Sequence, residues 1–244
     1  MGILWRYNKI IVKKSLICFK VFRFDPDKDS KPYFQKFQVP VVRKDMTVLE
    51  SLFYIQEKLD NSLAFRSSCR SAVCGSCAMH INGRYGLACN TLVSSLKGNV
   101  VKIRPLGHLN IIKDLFVDLE PFWEKYEFIK PYLISNTFSS KHERLQTRSE
   151  RAKLDGLIDC ILCGCCYSSC MVTMTKENYL GPAALLWANR FLVDSRDDAG
   201  DERLAIVNVE NGVWRCHTIF NCHQSCPKDL NPASCISTLK MKLI

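Results

Sequence analysis

The sequence has no long hydrophobic run. No apolar segment approaches the roughly 18 residues that a membrane-spanning helix needs, so no such helix is predicted. The sequence also lacks the low hydrophobicity of disordered chains: hydrophobic residues make up 47% of the 244 residues and charged residues 24%. This composition excludes an intrinsically disordered chain and is typical of a globular protein with one large domain or two small ones.

Cysteine is frequent without reaching the density of a disulfide scaffold. The chain has 14 cysteines, about 6% of its residues against roughly 8–10% in such scaffolds. The basic stretch 1–24 is broken by lysine every few residues, so we expect no signal peptide, and Arg6 occupies the Ser/Thr position of a myristoylation motif. We therefore predict a reducing compartment, in which many thiols stay free or bind metal.

Apolar periodicity predicts two regions of different secondary structure. The first is a strand–strand–helix–strand pattern that ends near Pro105, with its helix beginning at Thr47 or Asp45. A partly helical linking segment and a polar loop or solvated helix follow, and from Asp155 onward the pattern is helical. The predicted strands cover 14–27, 34–42 and short segments up to 105, the linking segment covers 108–133, the polar stretch 135–153, and the later helices 155–162, 181–195 (with Pro182 in its first turn) and 233–243.

The first cysteine group has the spacing of a plant-type [2Fe–2S] site. The pattern is C-x4-C-x2-C, with a fourth cysteine after eleven further residues: Cys69, Cys74, Cys77 and Cys89. A short loop can wrap one side of such a cluster while a strand returns with the fourth thiolate. Gly75 allows a close approach of the main chain, and Arg70 adds positive charge beside the anionic cluster. A zinc site is the alternative, but structural zinc usually pairs two C-x2–4-C hooks and only one such short hook is present here.

The second cysteine group contains two half-motifs of the bacterial ferredoxin type. The first half-motif has the spacing C-x2-C-x2-C-x3-C: Cys160, Cys163, Cys166 and Cys170. The second half-motif fits the same template with isoleucine in the second place: Cys216, Ile219, Cys222 and Cys226. Met171 follows the first half-motif where this template usually has proline, whereas Pro227 follows the second.

The fourth cysteine of each half-motif serves the other cluster in this template. A [4Fe–4S] cluster is then held by Cys160, Cys163, Cys166 and Cys226. The other site has only three thiolates, because Ile219 stands where the fourth would be, and this predicts a [3Fe–4S] cluster. Its ligands are Cys170, Cys216 and Cys222. We interpret Cys18, Cys165 and Cys235 as small buried apolar residues.

The remaining chemistry of the sequence favours an electron carrier. No nucleophile–base pair or phosphate-binding loop stands out, and five histidines do not make a triad by themselves. Three oxidised clusters with their thiolates would subtract about six charges from the formal net charge of +10, so much of the basic excess balances clusters rather than a polyanion. A chain with three clusters is expected to carry single electrons between a two-electron centre on one partner and an acceptor on another.

Long motifs of this sequence resemble the iron–sulfur subunit of succinate dehydrogenase and fumarate reductase, respiratory complex II. The resemblance runs from about Phe22 to Lys240. It rests on SSCRSAVCGSCAMHINGRYGLAC, IIKDLFVDLEPFWEKYEFIKPYL, CILCGCCYSSC, GPAALLWANRFLVDSRDD and RCHTIFNCHQSCPKDLNP. It implies an α+β fold, with an N-terminal plant-type, β-grasp-like [2Fe–2S] ferredoxin domain at 1–108 and an all-α, bacterial-ferredoxin-like domain carrying [4Fe–4S] and [3Fe–4S] at 109–244.

The resemblance also implies a function and partners. Electrons would pass from covalent FAD of a flavoprotein subunit, where succinate becomes fumarate, through [2Fe–2S], [4Fe–4S] and [3Fe–4S] to a membrane quinone, in a step shared by the tricarboxylic acid cycle and the respiratory chain. The chain would lie on the inner face of a respiratory membrane, either bacterial cytoplasmic or mitochondrial matrix side, held by anchor subunits. His217 and Ile219 match the quinone side. Many ubiquinone-using relatives have a tryptophan pair where Met174 and Thr175 stand here, so the Thr175 hydroxyl is a substitute donor and the quinone type stays open.

Other functions remain alternatives at this point. The same subunit could run in reverse as a quinol:fumarate reductase, or it could belong to another membrane dehydrogenase. A zinc-dependent nucleic-acid-binding protein is a third interpretation, suggested by the sequence pI of about 9.0 and the C-x2-C pairs. The cluster assignment predicts no nucleic-acid partner.

Overall fold

A computed structural model of the chain describes residues 15–135 and 143–244. The predictions for the start of the basic stretch and for the middle of the polar stretch fall on residues 1–14 and 136–142, which lie outside the described residues. In chain order the elements are β1 (Ser15–Arg23), β2 (Tyr33–Val41), α1 (Val48–Lys58), β3 (Ala78–Ile81), β4 (Arg84–Leu87), β5 (Val100–Arg104), β6 (Ile111–Lys113), β7 (Phe116–Val117), α2 (Glu120–Phe128), α3 (Arg148–Ala152), α4 (Cys165–Ser169), α5 (Met171–Thr175), α6 (Gly181–Leu192), α7 (Gly200–Val207), α8 (Asn221–Gln224) and α9 (Pro232–Lys242).

The first region is a five-stranded sheet with the order β2-β1-β5-β3-β4. The pair β1–β5 is parallel and the other pairs are antiparallel. Alternation along β1 directs Phe19 and Val21 into a core that includes Leu52 and Ile55 of α1. The helix begins as predicted after Thr47, whose hydroxyl accepts from the Glu50 N–H at 3.2 Å while the Glu50 carboxylate accepts from the Thr47 N–H at 2.8 Å.

The predicted linking segment divides into a hairpin and a helix. Its helical part is α2, and its beginning forms the antiparallel pair β6–β7, which the sequence did not predict. Leu115 and Val117 of this hairpin are buried in the core of the sheet region, and Asp114 accepts from Arg23 of β1 at 2.9 Å. The domain boundary at residue 108 stays a prediction. The hairpin β6–β7 lies beyond this boundary in the chain and packs on the core of the sheet region.

The second described region is helical. Its main core lies where α6 packs against α7 and α9, with Leu185, Ile236 and Leu239 buried. The helix α6 begins at Gly181 with proline in its first turn, as predicted. The α+β fold class, a sheet region followed by a helical one, is confirmed. No helix within 15–135 and 143–244 is both long and apolar enough to cross a bilayer.

One predicted helix, at 155–162, is wrong. Gly156 adopts a positive φ of 79°, and only one 3-10 turn follows, at Leu157–Asp159. Cys160 then has extended backbone angles. The apolar spacing of this segment reflects packing around a cysteine loop rather than one face of a helix.

Candidate iron–sulfur sites

The loop 69–77 surrounds cysteine sulfurs with its own backbone N–H groups. The sulfur of Cys69 accepts three main-chain hydrogen bonds at 3.3–3.4 Å, from Ser71, Val73 and Cys74. The sulfur of Cys89 accepts from the Ala72 N–H at 3.3 Å, and that of Cys77 accepts from the Cys89 N–H at 3.4 Å. The structure therefore brings the four predicted ligands of this group into one hydrogen-bonded loop.

Left-handed backbone conformations produce this arrangement. Arg70 has a φ of 57° and Ala72 one of 56°. Alternation of this kind turns successive N–H groups toward one point and forms a concave anion site. The Arg70 guanidinium lies over the Phe53 ring at 4.6 Å, so its charge stays close to the loop. This donor set fits a cluster whose thiolates carry negative charge.

The thiols of this loop differ in acidity. Burial acts to raise the pKa of Cys74, but hydrogen bonds from Ser76 and Cys69 outweigh it and lower the pKa to about 6. Burial raises the pKa of Cys77 to about 12, with Cys89 and Cys74 nearby adding to the increase. The thiolate form that iron binds is therefore most accessible at Cys74, on the exposed side of the loop.

Gly75 joins this loop to the first half-motif. Its φ is +74°, and a Cβ at this position would lie 2.9 Å from the Cα of Cys163 and 2.9 Å from the carbonyl oxygen of Ile161. The absence of a side chain therefore allows a close approach to the backbone of the second cysteine group, whereas the predicted approach was to the cluster itself and stays a prediction. Loops from the two regions meet there in direct contact.

The predicted [4Fe–4S] ligands line one cavity. It is bordered by cysteines of both half-motifs and by apolar side chains of α6 and its surroundings: Cys160, Cys163, Cys166, Cys226, Leu162, Ala183, Leu186 and Leu230. Burial raises the pKa of the Cys166 thiol well above its usual value, and Cys163, Cys160, Cys222 and Cys226 add to the increase. Several buried thiols that line one cavity are better suited to bind a metal cluster than to remain as uncoordinated thiols.

The predicted [3Fe–4S] ligands line a second cavity, together with Ile219. Cys170, Cys216 and Cys222 border it, and the sulfur of Cys216 accepts from the Thr218 N–H at 3.4 Å. Burial raises the pKa of Cys222 to about 11, with Cys170 and Cys216 contributing. The isoleucine thus lies at the cavity of the three thiols that the sequence assigned to this cluster.

The two half-motifs have the same local backbone. A 3-10 turn precedes each first cysteine, Leu157–Asp159 in one and Val213–Arg215 in the other. The second residue after each first cysteine has a left-handed backbone: Leu162 in one half-motif and Thr218 in the other. The fourth residue after it is also left-handed and is the N-cap of the next helix: Gly164 before α4 and Phe220 before α8. Ile219 therefore occupies the backbone position that corresponds to Cys163.

Three cysteines were expected to be buried and apolar. Cys165 is fully buried and Cys235 is 7% exposed, in agreement with the prediction. Cys18 is only half-buried on β1, so the prediction is wrong for this residue. Cys165 donates to the Cys163 thiol, and this hydrogen bond lowers the pKa of Cys163.

The predicted quinone-side residues do not all border the second cavity. His217 and Ile219 line it and are exposed. Thr175 is exposed at the end of α5, and its hydroxyl donates to the carbonyl oxygens of Val172 at 3.2 Å and Met171 at 3.4 Å. The tyrosine Tyr179, which sequence reasoning missed, is 1% exposed and borders the same cavity. Burial raises the pKa of the Tyr179 hydroxyl, and Cys216, Cys170 and Cys222 add to the increase.

The cysteine sets are wider than a single-ion site. Within the described residues, no group of three or more His, Cys, Asp or Glu side chains converges closely enough to hold one metal ion. Cluster ligands bind different corners of an inorganic core, so their sulfurs need not converge on one point. The donor chemistry, the N–H groups directed at sulfur and the dry cavities fit iron–sulfur clusters.

Comparison with known proteins supports the same division. Residues 18–124 match the family model described as a 2Fe-2S iron-sulfur cluster binding domain, and residues 156–230 match the model described as a 4Fe-4S dicluster domain. A chain of the Mycobacterium smegmatis Sdh1 complex in the apo form is similar in fold, with a TM-score of 0.85 and 24% identity over 94% of this chain and 96% of that chain. A hypothetical protein from Helicobacter pylori matches with a TM-score of 0.56 and 21% identity over 93% of this chain and 39% of that one.

These findings confirm two parts of the resemblance, the domain content and the fold. The two family models cover the sheet region with its cysteine loop and the helical region with both half-motifs. This chain therefore combines a 2Fe-2S iron-sulfur cluster binding domain with a 4Fe-4S dicluster domain, in a fold similar to that of the chain from the Sdh1 complex.

Proposed function

We propose that this chain is the electron-transfer subunit of a succinate:quinone oxidoreductase. The observation that carries the proposal is the order of the three cysteine groups in space. Gly75, next to Cys74, contacts Cys163 of the second site. Ser169, which lies between Cys166 and Cys170 in the chain, donates to the carbonyl oxygen of Asn221, the residue before Cys222, at 3.2 Å. Residues of each site therefore lie next to residues of the following site.

The segments that connect the sites are short and largely buried. Cys166 and Cys170, assigned to different clusters, lie four residues apart around the single short helix α4. Cys165, next to Cys166, is fully buried, and Leu106 packs at the junction with the sheet core. When bound, the clusters supply one-electron redox chemistry. The chain's own part is to hold their ligands, exclude water and fix their order.

Both ends of this order are exposed, and they suit different partners. Cys74 and Val73 are exposed at the first end, with Val73 63% exposed. At the other end the second cavity is lined by exposed apolar side chains: Met171, Ile219 and Phe220. We assign the first end to a flavoprotein subunit and the second to a membrane anchor. The similarity in fold to a chain of the Sdh1 complex supports a place in such an assembly.

The quinone side is proposed on fewer residues. His217 and Ile219 border the cavity of the predicted [3Fe–4S] ligands and face outward, so they are the residues we expect a quinone to approach. Thr175 keeps a secondary role as a hydrogen-bond donor, which requires its hydroxyl to leave the carbonyls that it now contacts. We propose a location on the inner face of a respiratory membrane, held there by the anchor subunits.

The test is purification of the intact complex from membranes. We expect a co-purifying flavoprotein and the signals of three iron–sulfur clusters by electron paramagnetic resonance (EPR). We also expect succinate to reduce these clusters. Assays with succinate and quinone, and with quinol and fumarate, decide the direction. A flavoprotein that oxidises another substrate would assign the chain to a different membrane dehydrogenase. Only two iron–sulfur centres, or a colourless zinc protein, would refute the proposal.

A further inference from the structure

Trp187 on α6 has a buried polar group without a partner. Its indole Nε1 is inaccessible to solvent and makes no hydrogen bond in the described structure. Leaving a buried N–H without an acceptor is unfavourable, so such a group needs an explanation. The ring itself is well packed, edge to face with Tyr126 at 5.5 Å and tilted against Phe191 at 5.9 Å.

The thiol of Cys160 lies on the same side of the α6 core packing as this group. Both residues pack on the same small core, with Leu186, Leu230 and Cys235. Among the groups near the Cys160 sulfur are the Leu162 backbone N–H and the Trp187 indole.

A neutral thiol is a poor acceptor, whereas an iron-bound thiolate carries negative charge and accepts N–H groups well. The unpartnered donor is thus explained if its acceptor is the sulfur of Cys160 in the loaded protein. We infer that Trp187 donates a hydrogen bond to the Cys160 ligand of the [4Fe–4S] site and so raises the reduction potential of that centre above the value it would have without the indole. The inference rests on the ligand set of the proposed function.

The direction follows from charge. Reduction adds an electron to a cluster that is already anionic, and a donor at a ligand sulfur stabilises the more negative state more strongly. Removing the donor therefore makes the potential more negative. Trp187 is a positioning and tuning residue in this role, since it touches a ligand sulfur and no substrate.

The experiment uses the complete complex and redox titrations followed by EPR. Trp187→Phe keeps an aromatic ring and removes the N–H; we expect the [4Fe–4S] midpoint potential to become more negative while those of the other two centres stay unchanged. Trp187→Gln restores a donor and should recover part of the shift. Phe191→Leu is the matched packing control, because it loosens the ring beside Trp187 and removes no donor.

A second measurement needs no variant. Pulsed EPR on the reduced wild-type centre, with 15N-labelled tryptophan, should show a nitrogen coupling that disappears in Trp187→Phe. An unchanged potential in Trp187→Phe, an equal shift in Phe191→Leu, or no nitrogen coupling would overturn the inference. Absence of a [4Fe–4S] signal in wild type would instead refute the ligand set and with it the proposed function. A normal signal in a complex that does not oxidise succinate would refute only the function.

Discussion

The two half-motifs of the helical region have one backbone and two environments. Each consists of a 3-10 turn, a cysteine, two left-handed residues and a short helix. The first packs against the sheet region, where Ile161 and Cys163 contact its core and Gly75 touches the backbone. The second faces outward, with Ile219 52% exposed and Phe220 42% exposed.

This difference indicates how one template provides two kinds of site. The buried copy has a cysteine at its central position and packs against the sheet core, which suits an internal relay. The open copy has isoleucine there, and its cavity borders the surface, which suits an outlet to a partner or a small acceptor. The local sequence sets the shared backbone, whereas the packing around each copy decides its access to solvent. The following predictions test this comparison, from the largest expected effect to the smallest.

The largest effect is expected from removing the central cysteine of the buried copy. Cys163→Ala takes away one thiolate of four, so the EPR signal of the [4Fe–4S] centre should be lost completely. The corresponding change in the open copy, Ile219→Ala, removes no ligand and should leave all three signals in place. Iron analysis of both variants gives an independent count. Loss of the three-iron signal in Ile219→Ala would show that the isoleucine does more than occupy a corner.

The reverse exchange should make the two copies chemically alike. Ile219→Cys places a thiol at the backbone position of Cys163, beside the cavity of Cys170, Cys216 and Cys222. The fourth corner then gains a ligand, and the oxidised [3Fe–4S] EPR signal should fade as a [4Fe–4S] centre replaces it. Ile219→Ser, which lacks the soft sulfur ligand, is the control. A wild-type protein without any oxidised three-iron signal would show that the alignment of the half-motifs is wrong.

The contact between the buried copy and the sheet should be intolerant of a single methyl group. Gly75→Ala combines an unfavourable positive φ with a Cβ at 2.9 Å from Cys163, and we expect a loss of roughly 2–5 kcal/mol in the free energy of unfolding. Gly83→Ala is the matched control, because Gly83 has a φ of +91° and open space around it. It should cost only about 1–2 kcal/mol.

Thermal unfolding of the two loaded glycine variants measures the difference. Equal losses of stability would mean that backbone strain alone, rather than the close approach of the loops, accounts for the effect of Gly75→Ala. That result would remove the steric argument for a tight junction between the first two sites.

The smallest effect is expected at Cys165. Its counterpart in the open copy is Asn221, so the template does not require a thiol there. Cys165→Ala should preserve all three EPR signals and cost about 1 kcal/mol of stability through lost packing. Loss of the [4Fe–4S] signal in this variant would reassign the ligands. The same change at Cys235 provides a second buried comparison.

Sequence spacing was a good guide to the loops and a poor one to their surroundings. It predicted the cysteine groups, the equivalence of Ile219 and Cys163, the capping residue Thr47 and the start of α6. It did not predict the hairpin β6–β7, whose strands of three and two residues are too short for a period to appear. It gave a helix at 155–162 because apolar residues that pack around Cys160 imitate helical spacing.

Roles that depend on distant residues were beyond the sequence. The sequence predicts that Gly75 brings the main chain close to a cluster, but its observed partner, Cys163, lies 88 positions away along the chain. Tyr179 and Trp187 show no local pattern that marks them as neighbours of ligand cysteines. Thr175 was chosen by its place in a motif, and the structure shows that its hydroxyl is already occupied by helix carbonyls.

The sequence by itself determined which thiols are grouped and how many each group contains, because ligand spacing in a short loop is fixed by bond lengths and backbone angles. It also determined the α+β order of the chain through local periodicity. Only the tertiary structure decided that the three groups adjoin one another in order, that one half-motif is enclosed and the other open, and that an indole lies beside Cys160. These features arise from packing between segments far apart in the chain, which no local pattern encodes.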